Sequence, residues 1–120
     1  MGGYGALLAA ETEPELFAAV VAVSPAVWTS CDAMMLGPRN AFDSAADFAE
    51  HDVIGHAQRL AGVDLRVDCG KQDPFYGYVT HLEAALPVPP SGGYAKGGHD
   101  QDYWQSVAPA EAKFIGRALD

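Results

Sequence analysis

The sequence predicts an α/β fold with about three parallel strands and flanking helices. Apolar segments of strand length alternate along the chain with segments of helical spacing, and this order is typical of parallel βα units joined by right-handed crossovers. Residues 16–23 are apolar on both faces, as expected of a strand in a sheet that is covered on both sides. With 120 residues, 49% of them hydrophobic, the chain can form one domain core and not two.

The first elements are a helix and then this strand. Residues 3–11 favour a helix, and the glycines at its start are explained only if another segment packs closely against them. Pro14 suits the first turn of a short helical segment. The strand after it is expected to end at Ser24 and Pro25.

Residues 25–62 are predicted to form a long connection. Within it, residues 37–40 indicate a loop, and either Asp43 or Ser44 can cap a short helix. A second short helix is expected to carry the apolar side chains of residues 53–60.

The rest of the chain predicts two strands and two helices. Residues 63–69 alternate between apolar and charged side chains, which indicates a strand with one wet or ion-paired face, away from the centre of the sheet. A helix is predicted over residues 75–86 and a short strand near residues 94–96. The last helix extends to Leu119, and Pro109 is expected to begin a new segment because proline lacks the N–H of a helix interior.

Charge and hydropathy exclude several classes of partner. A net charge of −9 without a basic patch argues against nucleic acid and against an anionic membrane surface. No apolar run approaches the roughly 20 residues needed to span a bilayer, so no membrane partner is expected. The start of the chain has no basic segment followed by a long apolar stretch, so no secretory signal is predicted and the cytoplasm is favoured as the compartment.

No metal site or cofactor is predicted. His51 and His56 are five residues apart, so a helix would place them on different faces, and no Cys or Glu lies at the spacing of a zinc site. The two cysteines, Cys31 and Cys69, do not form a disulfide framework and are expected to be free thiols, Cys69 as a buried strand residue.

The residues best suited to chemistry are Asp73 and His99. Each follows a predicted strand at its carboxyl end, where open α/β sheets place their binding crevice. A carboxylate that orients a histidine, and a histidine that moves a proton for a serine, are the parts of a nucleophilic hydrolase. Taken singly, Asp73 also fits a turn before a proline, and His99 fits the start of a helix. Asp68 is an alternative acid, although it precedes the strand end, and Ser24 is an alternative nucleophile, although a strand-end turn explains it as well.

The sequence Met1-Gly2-Gly3-Tyr4-Gly5-Ala6 resembles the start of the nucleophile-elbow helix in α/β-hydrolases of the esterase D, S-formylglutathione hydrolase, feruloyl esterase and mycolyltransferase branch. The Gly-Gly-His-Asp sequence around His99 resembles the same branch. The resemblance implies a single partial α/β-hydrolase domain over residues 1–120, in which residues 25–62 border the site. In such an elbow the serine falls just before Met1.

The resemblance also implies a role for each candidate residue. Asp73 is the triad acid, His99 the base, and Met1 the residue whose backbone contributes to the oxyanion hole. Trp28 corresponds to a wall of the acyl or alcohol pocket, and local core packing explains it equally well. The implied substrate is a small-molecule ester or thioester, with no cofactor.

Two hypotheses of different classes follow from this resemblance. In the first, the chain is the carboxyl-terminal half of a serine esterase, inactive alone because the serine lies upstream. In the second, it is a truncated or degenerate hydrolase-like module that binds ligands or partners without catalysis. If the elbow strand is missing, the strand that contains Val20, Val21 and Val23 loses its neighbour, and self-association through that exposed edge is expected.

Overall fold

A parallel β-sheet forms the centre of the molecule and confirms the predicted fold class. The structure is a computed structural model that describes residues 1–36 and 41–120, so the loop predicted at residues 37–40 lies outside the described residues. Within those residues the sheet has three strands in the order β1-β2-β3: β1 (Val20–Val23), β2 (Leu65–Gly70) and β3 (Ser91–Ala95).

Five α-helices and two short 3₁₀ helices flank the sheet in the described part of the chain. The α-helices are α1 (Gly2–Thr12), α2 (Cys31–Met35), α3 (Ala45–Glu50), α4 (Tyr76–Ala85) and α5 (Gln101–Leu119); the 3₁₀ helices are Pro14–Leu16 and Ala57–Leu60. Of the two residues predicted to cap α3, Ser44 is the cap, and its hydroxyl accepts the Asp47 N–H at 3.0 Å. None of the helices described is long and apolar enough to cross a membrane.

The main core lies between β2 and the helices beside it. Val67 and Cys69 of β2 are fully buried, as are Leu7 of α1 and Leu82 of α4. Burial of Cys69 confirms the prediction for this residue, and both cysteines are free. A smaller second cluster forms under the long connection, from Ala26, Trp28, Met34 and Phe48.

The prediction that residues 63–69 lie away from the sheet centre is wrong. β2 pairs with β1 on one side and with β3 on the other. Its charged face tolerates this position because Arg66 donates two hydrogen bonds to the Asp68 carboxylate, at 2.6 and 3.0 Å. The predicted ion-paired face is therefore present, but the pairing occurs within the strand and under α5.

The first strand is shorter than the apolar run predicts. Only Val20–Val23 forms the strand, whereas Leu16 is 74% exposed at the end of the Pro14–Leu16 turn. The edge of β1 that faces away from β2 has no strand partner among the described residues. Self-association through this edge stays a prediction, which light scattering on the 120-residue chain would test.

The expectation that Pro109 begins a new segment is also wrong, because α5 continues through it. A proline at this position leaves the carbonyl of Gln105 without its helical N–H donor. Gln105 and Pro109 are both exposed, so water can bind that carbonyl, and the helix tolerates the proline.

Candidate active site

Asp73 lies in the loop after β2 with its side chain fully buried. One carboxylate oxygen, Oδ1, accepts the backbone N–H of Phe75 at 2.8 Å. The other, Oδ2, is 2.9 Å from Nδ1 of His99. An ionised carboxylate can only accept, so Nδ1 carries the proton of this bond and Nε2 is the free nitrogen of a neutral imidazole.

His99 lies in the loop between β3 and α5, one residue before the helix cap Asp100. Its ring packs against two aromatic side chains: Phe75, at a centroid distance of 5.6 Å, and Trp104, at 5.2 Å. About a third of the His99 side chain remains exposed. The predicted approach of Asp73 and His99 is thus confirmed, since the carboxyl ends of two adjacent parallel strands bring their loops together.

Backbone hydrogen bonds join these two loops independently of the carboxylate and the imidazole. The N–H of Gln72 donates to the Gly97 carbonyl at 2.9 Å, and the Gly97 N–H donates back to Oε1 of Gln72 at 2.8 Å. Gly97 has a φ of +152°, and a Cβ there would lie 2.5 Å from the Tyr103 ring. No sequence signal pointed to Gln72, whose partner is 25 residues away.

A cavity of about 230 Å³ opens beside His99. Its lining includes Met1, Gly2, Gly3, Ser24 and Trp104. Gly3 packs against the end of β1, where an added Cβ would lie 2.8 Å from the Val23 carbonyl oxygen. This contact is the close approach that the glycines at the helix start predicted, and it places Met1 at the cavity next to His99.

Ser24 and Trp104 form a second connection at the same cavity. The indole N–H of Trp104 donates to Oγ of Ser24 at 3.2 Å. Ser24 is buried and has a φ of +46°, so it does end β1 in a turn, as the sequence indicated. No role for Trp104 followed from the sequence, because the two residues are 80 positions apart.

Trp28 is connected to His99 through the ring of Phe75, which packs against both. It is buried in the second cluster and contacts Phe75 at a centroid distance of 5.7 Å, with the rings edge to face. Together with Phe75 and Tyr78 it also lines a cavity of about 170 Å³. Both interpretations of Trp28, local packing and pocket wall, therefore agree with its position.

The remaining candidates lie apart from the pair. Asp68 is buried in its ion pair with Arg66 rather than next to His99. His51 bonds the backbone and the carboxylate of Asp47 on its own helix, which raises the pKa of its imidazole. In residues 1–36 and 41–120 no three metal-ligating side chains converge.

Comparison with known proteins gives a consistent set of matches. A family model described as "Putative esterase" matches residues 1–115. Among solved structures, the chain is similar to a ferulic acid esterase, with 24% identity and a TM-score of 0.76 over 100% of this chain and 50% of that one. It is also similar to the Staphylococcus aureus fluorophosphonate-binding serine hydrolase FphF, with 26% identity and a TM-score of 0.69 over 95% and 51% of the two chains. A third match is the S-formylglutathione hydrolase FrmB of the same organism, with 26% identity and a TM-score of 0.63 over 96% and 48%.

The chain spans about half the length of these three structures. No curated protein matches it significantly.

Proposed function

This chain belongs to the esterase family identified above, and we propose that it supplies the acid and the base of a Ser-Asp-His triad in a serine esterase. The observation that carries the proposal is the 2.9 Å contact between Asp73 and His99 at the edge of a cavity. The buried carboxylate accepts a hydrogen bond from Nδ1–H, and the free Nε2 belongs to a ring that stays partly open to solvent.

The proposed mechanism uses these two side chains in two half-reactions. His99 accepts the serine proton at Nε2 while the serine oxygen attacks the ester carbonyl, and it then returns that proton to the departing alcohol or thiol. Water then gives a proton to the same Nε2 as its oxygen attacks the acyl-enzyme, and His99 returns that proton to the serine oxygen as the carboxylic acid departs. Asp73 keeps the proton of the neutral ring on Nδ1 and stabilises the imidazolium that forms in each half-reaction.

We assign the nucleophile to a serine immediately before Met1 in a longer protein. The position of Met1 and Gly2 at the cavity of His99 supports this assignment, as does the half-length match to the solved hydrolases. The backbone N–H of Met1 would then contribute to the oxyanion hole.

The proposed substrate is a small-molecule carboxylic ester or thioester. The names of two similar proteins, a ferulic acid esterase and an S-formylglutathione hydrolase, cover these two classes of bond. We place the acyl or alcohol group beside Phe75, in the cavity that Trp28 lines.

A non-enzymatic hydrolase-like module is the second candidate function. It is favoured by one observation: within the described residues, His99 hydrogen-bonds Asp73 and no serine. Among residues 1–36 and 41–120, therefore, no hydroxyl is bonded to the base and activated by it.

Hydrolysis of a short-chain aryl ester distinguishes the two functions. We expect the 120-residue chain to show background activity, because loss of a triad serine removes most of the rate and loss of oxyanion donors a further factor of about 100 or more. A protein extended upstream in frame should be active, and it should lose that activity both in His99→Ala and when the serine before Met1 becomes alanine.

Two outcomes would contradict the proposal. An extended protein that is inactive, or that keeps its activity without that serine, would remove the esterase assignment. Hydrolysis by the 120-residue chain that disappears in His99→Ala would show that the nucleophile lies within it, and Ser24→Ala would then test the hydroxyl of a residue that lines the same cavity.

A further inference from the structure

We infer that Ser24 and Trp104 are positioning residues, whose hydrogen bond holds the imidazole of His99 against Asp73. The inference rests on the proposed function, because it treats His99 as the base. It also goes beyond that function, because neither residue belongs to a Ser-Asp-His triad.

Trp104 lines the cavity together with His99 and packs against the imidazole. Its ring meets the imidazole edge to face, with centroids 5.2 Å apart and an interplanar angle of 86°. Phe75 also packs against the ring, with centroids 5.6 Å apart. Because His99 and Trp104 both line this cavity, the indole packed against the imidazole limits rotation of that ring away from Asp73 into open space.

Ser24 fixes the indole in turn. Its Oγ accepts the Nε1–H of Trp104 at 3.2 Å, which ties α5 to the end of β1. Indole nitrogen is a donor only, so without this acceptor the half-buried N–H would lose its partner and favour a rotamer that reaches water.

The backbone of Ser24 indicates that the position is constrained. A φ of +46° is unfavourable for a residue with a Cβ, and the following Pro25 restricts the conformation further. The conformation persists because Ser24 is 3% exposed and its N–H donates to the Asp68 carbonyl at 2.8 Å. A glycine would adopt this φ without strain but would have no hydroxyl for Trp104.

This arrangement argues against Ser24 as a nucleophile. A triad serine bonds the histidine that takes its proton, whereas Oγ of Ser24 bonds the indole. The hydroxyl therefore acts on His99 through Trp104.

Hydrogen exchange measured by NMR on the 120-residue chain tests the inference without any need for catalysis. Ser24→Gly removes the acceptor and also relieves the positive φ, so it is expected to fold. In this variant the Trp104 indole proton should exchange roughly three to ten times faster, the factor that corresponds to one hydrogen bond, and the Nδ1 proton of His99 should also exchange faster. Trp104→Phe should accelerate the His99 proton in the same way.

Ser106→Ala is the matched control. Its hydroxyl lies on the same helix and donates to the Tyr103 carbonyl at 2.6 Å, away from the indole. Backbone amides of β2 serve as the reference in every variant, because a general loss of stability would accelerate them equally.

The inference is overturned if Ser24→Gly leaves both side-chain protons at their original rates, or if Ser106→Ala accelerates them as much. It is supported if only the Ser24 and Trp104 variants accelerate exchange of the His99 proton relative to the backbone amides of β2. An extended protein without esterase activity would remove the proposed function, while the exchange result would still decide whether Ser24 and Trp104 hold His99.

Discussion

Two buried carboxylates of this molecule, Asp73 and Glu11, differ in how the fold surrounds them. Asp73 is 5% exposed and each of its oxygens accepts a hydrogen bond, from Phe75 and from His99. Glu11 is 4% exposed, and neither of its oxygens has a hydrogen-bond partner within the described residues. The two carboxylates are thus similarly buried but differ in role. That of Asp73 is suited to orient a base, whereas the ionised form of Glu11 is destabilised.

The difference follows from the local backbone around each residue. Asp73 precedes a helix, where free N–H groups point towards it, and it lies opposite the loop of His99. Glu11 is the second-last residue of α1, where the backbone presents carbonyls and the negative end of the helix dipole. Burial therefore raises the pKa of Glu11 to about 8, with Arg59 opposing this shift and Asp52 adding to it.

The largest expected effect is a pH dependence of stability caused by Glu11. Its folded pKa of about 8 lies above the ordinary value of 4.5, so the fold favours the neutral acid. This contribution is complete below pH 4.5 and is lost as pH rises to about 8, at about 1.4 kcal/mol per pH unit and roughly 5 kcal/mol in all. Urea unfolding at several pH values should show this loss in the free energy of unfolding.

Glu11→Gln should remove most of this slope, because the amide does not ionise. Glu13→Gln, on an exposed neighbour, is the control and should keep the slope of the original chain. Burial also raises the pKa of Glu111, but all three proteins retain it, so the difference curve isolates Glu11. Parallel curves for Glu11→Gln and the original chain would show that this carboxylate does not lie in the environment described.

Removal of the Asp73 carboxylate should have the next largest effect. Asp73→Ala leaves the Phe75 N–H and the His99 ring proton without an acceptor, at an expected cost of about 2 to 3 kcal/mol in the free energy of unfolding. Asp73→Asn retains an acceptor oxygen and should cost about 1 kcal/mol. Asp64→Ala, at an exposed position before β2, is the control. If Asp73→Ala were no more destabilising than this control, the two hydrogen bonds would contribute nothing measurable.

The smallest effect concerns the hydrogen bonds between the two loops. Gln72→Ala removes the side-chain acceptor of the Gly97 N–H, and we expect a loss of about 1 kcal/mol and an exchange of that amide proton about five times faster. Gln58→Ala is matched to it, since Gln58 also bonds the backbone of a distant segment, at Ala85, but away from the site. Equal exchange at Gly97 in both variants would mean that Gln72 does not hold the loop of His99.

The sequence by itself determined the features that depend on local signals and on the geometry of parallel strands. Helix propensity indicated α1, helical spacing indicated α4, and either Asp43 or Ser44 was expected to cap α3. The meeting of Asp73 and His99 was predictable for the same reason, since each follows a strand and the carboxyl ends of adjacent parallel strands share one edge. The resemblance of the first residues to an esterase branch was likewise confirmed by the family match.

Only the tertiary structure decided which segments and side chains meet across the sheet. β2 lies at the centre of the sheet, where Arg66 and Asp68 form an ion pair on its charged face. Alternation of charged and apolar residues in the sequence does not show whether such a face is ion-paired or exposed to water. The bond from Trp104 to Ser24 and the unpartnered carboxylate of Glu11 have no periodic signal, because their surroundings come from segments distant in the chain. Hydrogen-bond satisfaction inside a protein depends on which groups the whole fold brings within about 3 Å, and local patterns do not contain that information.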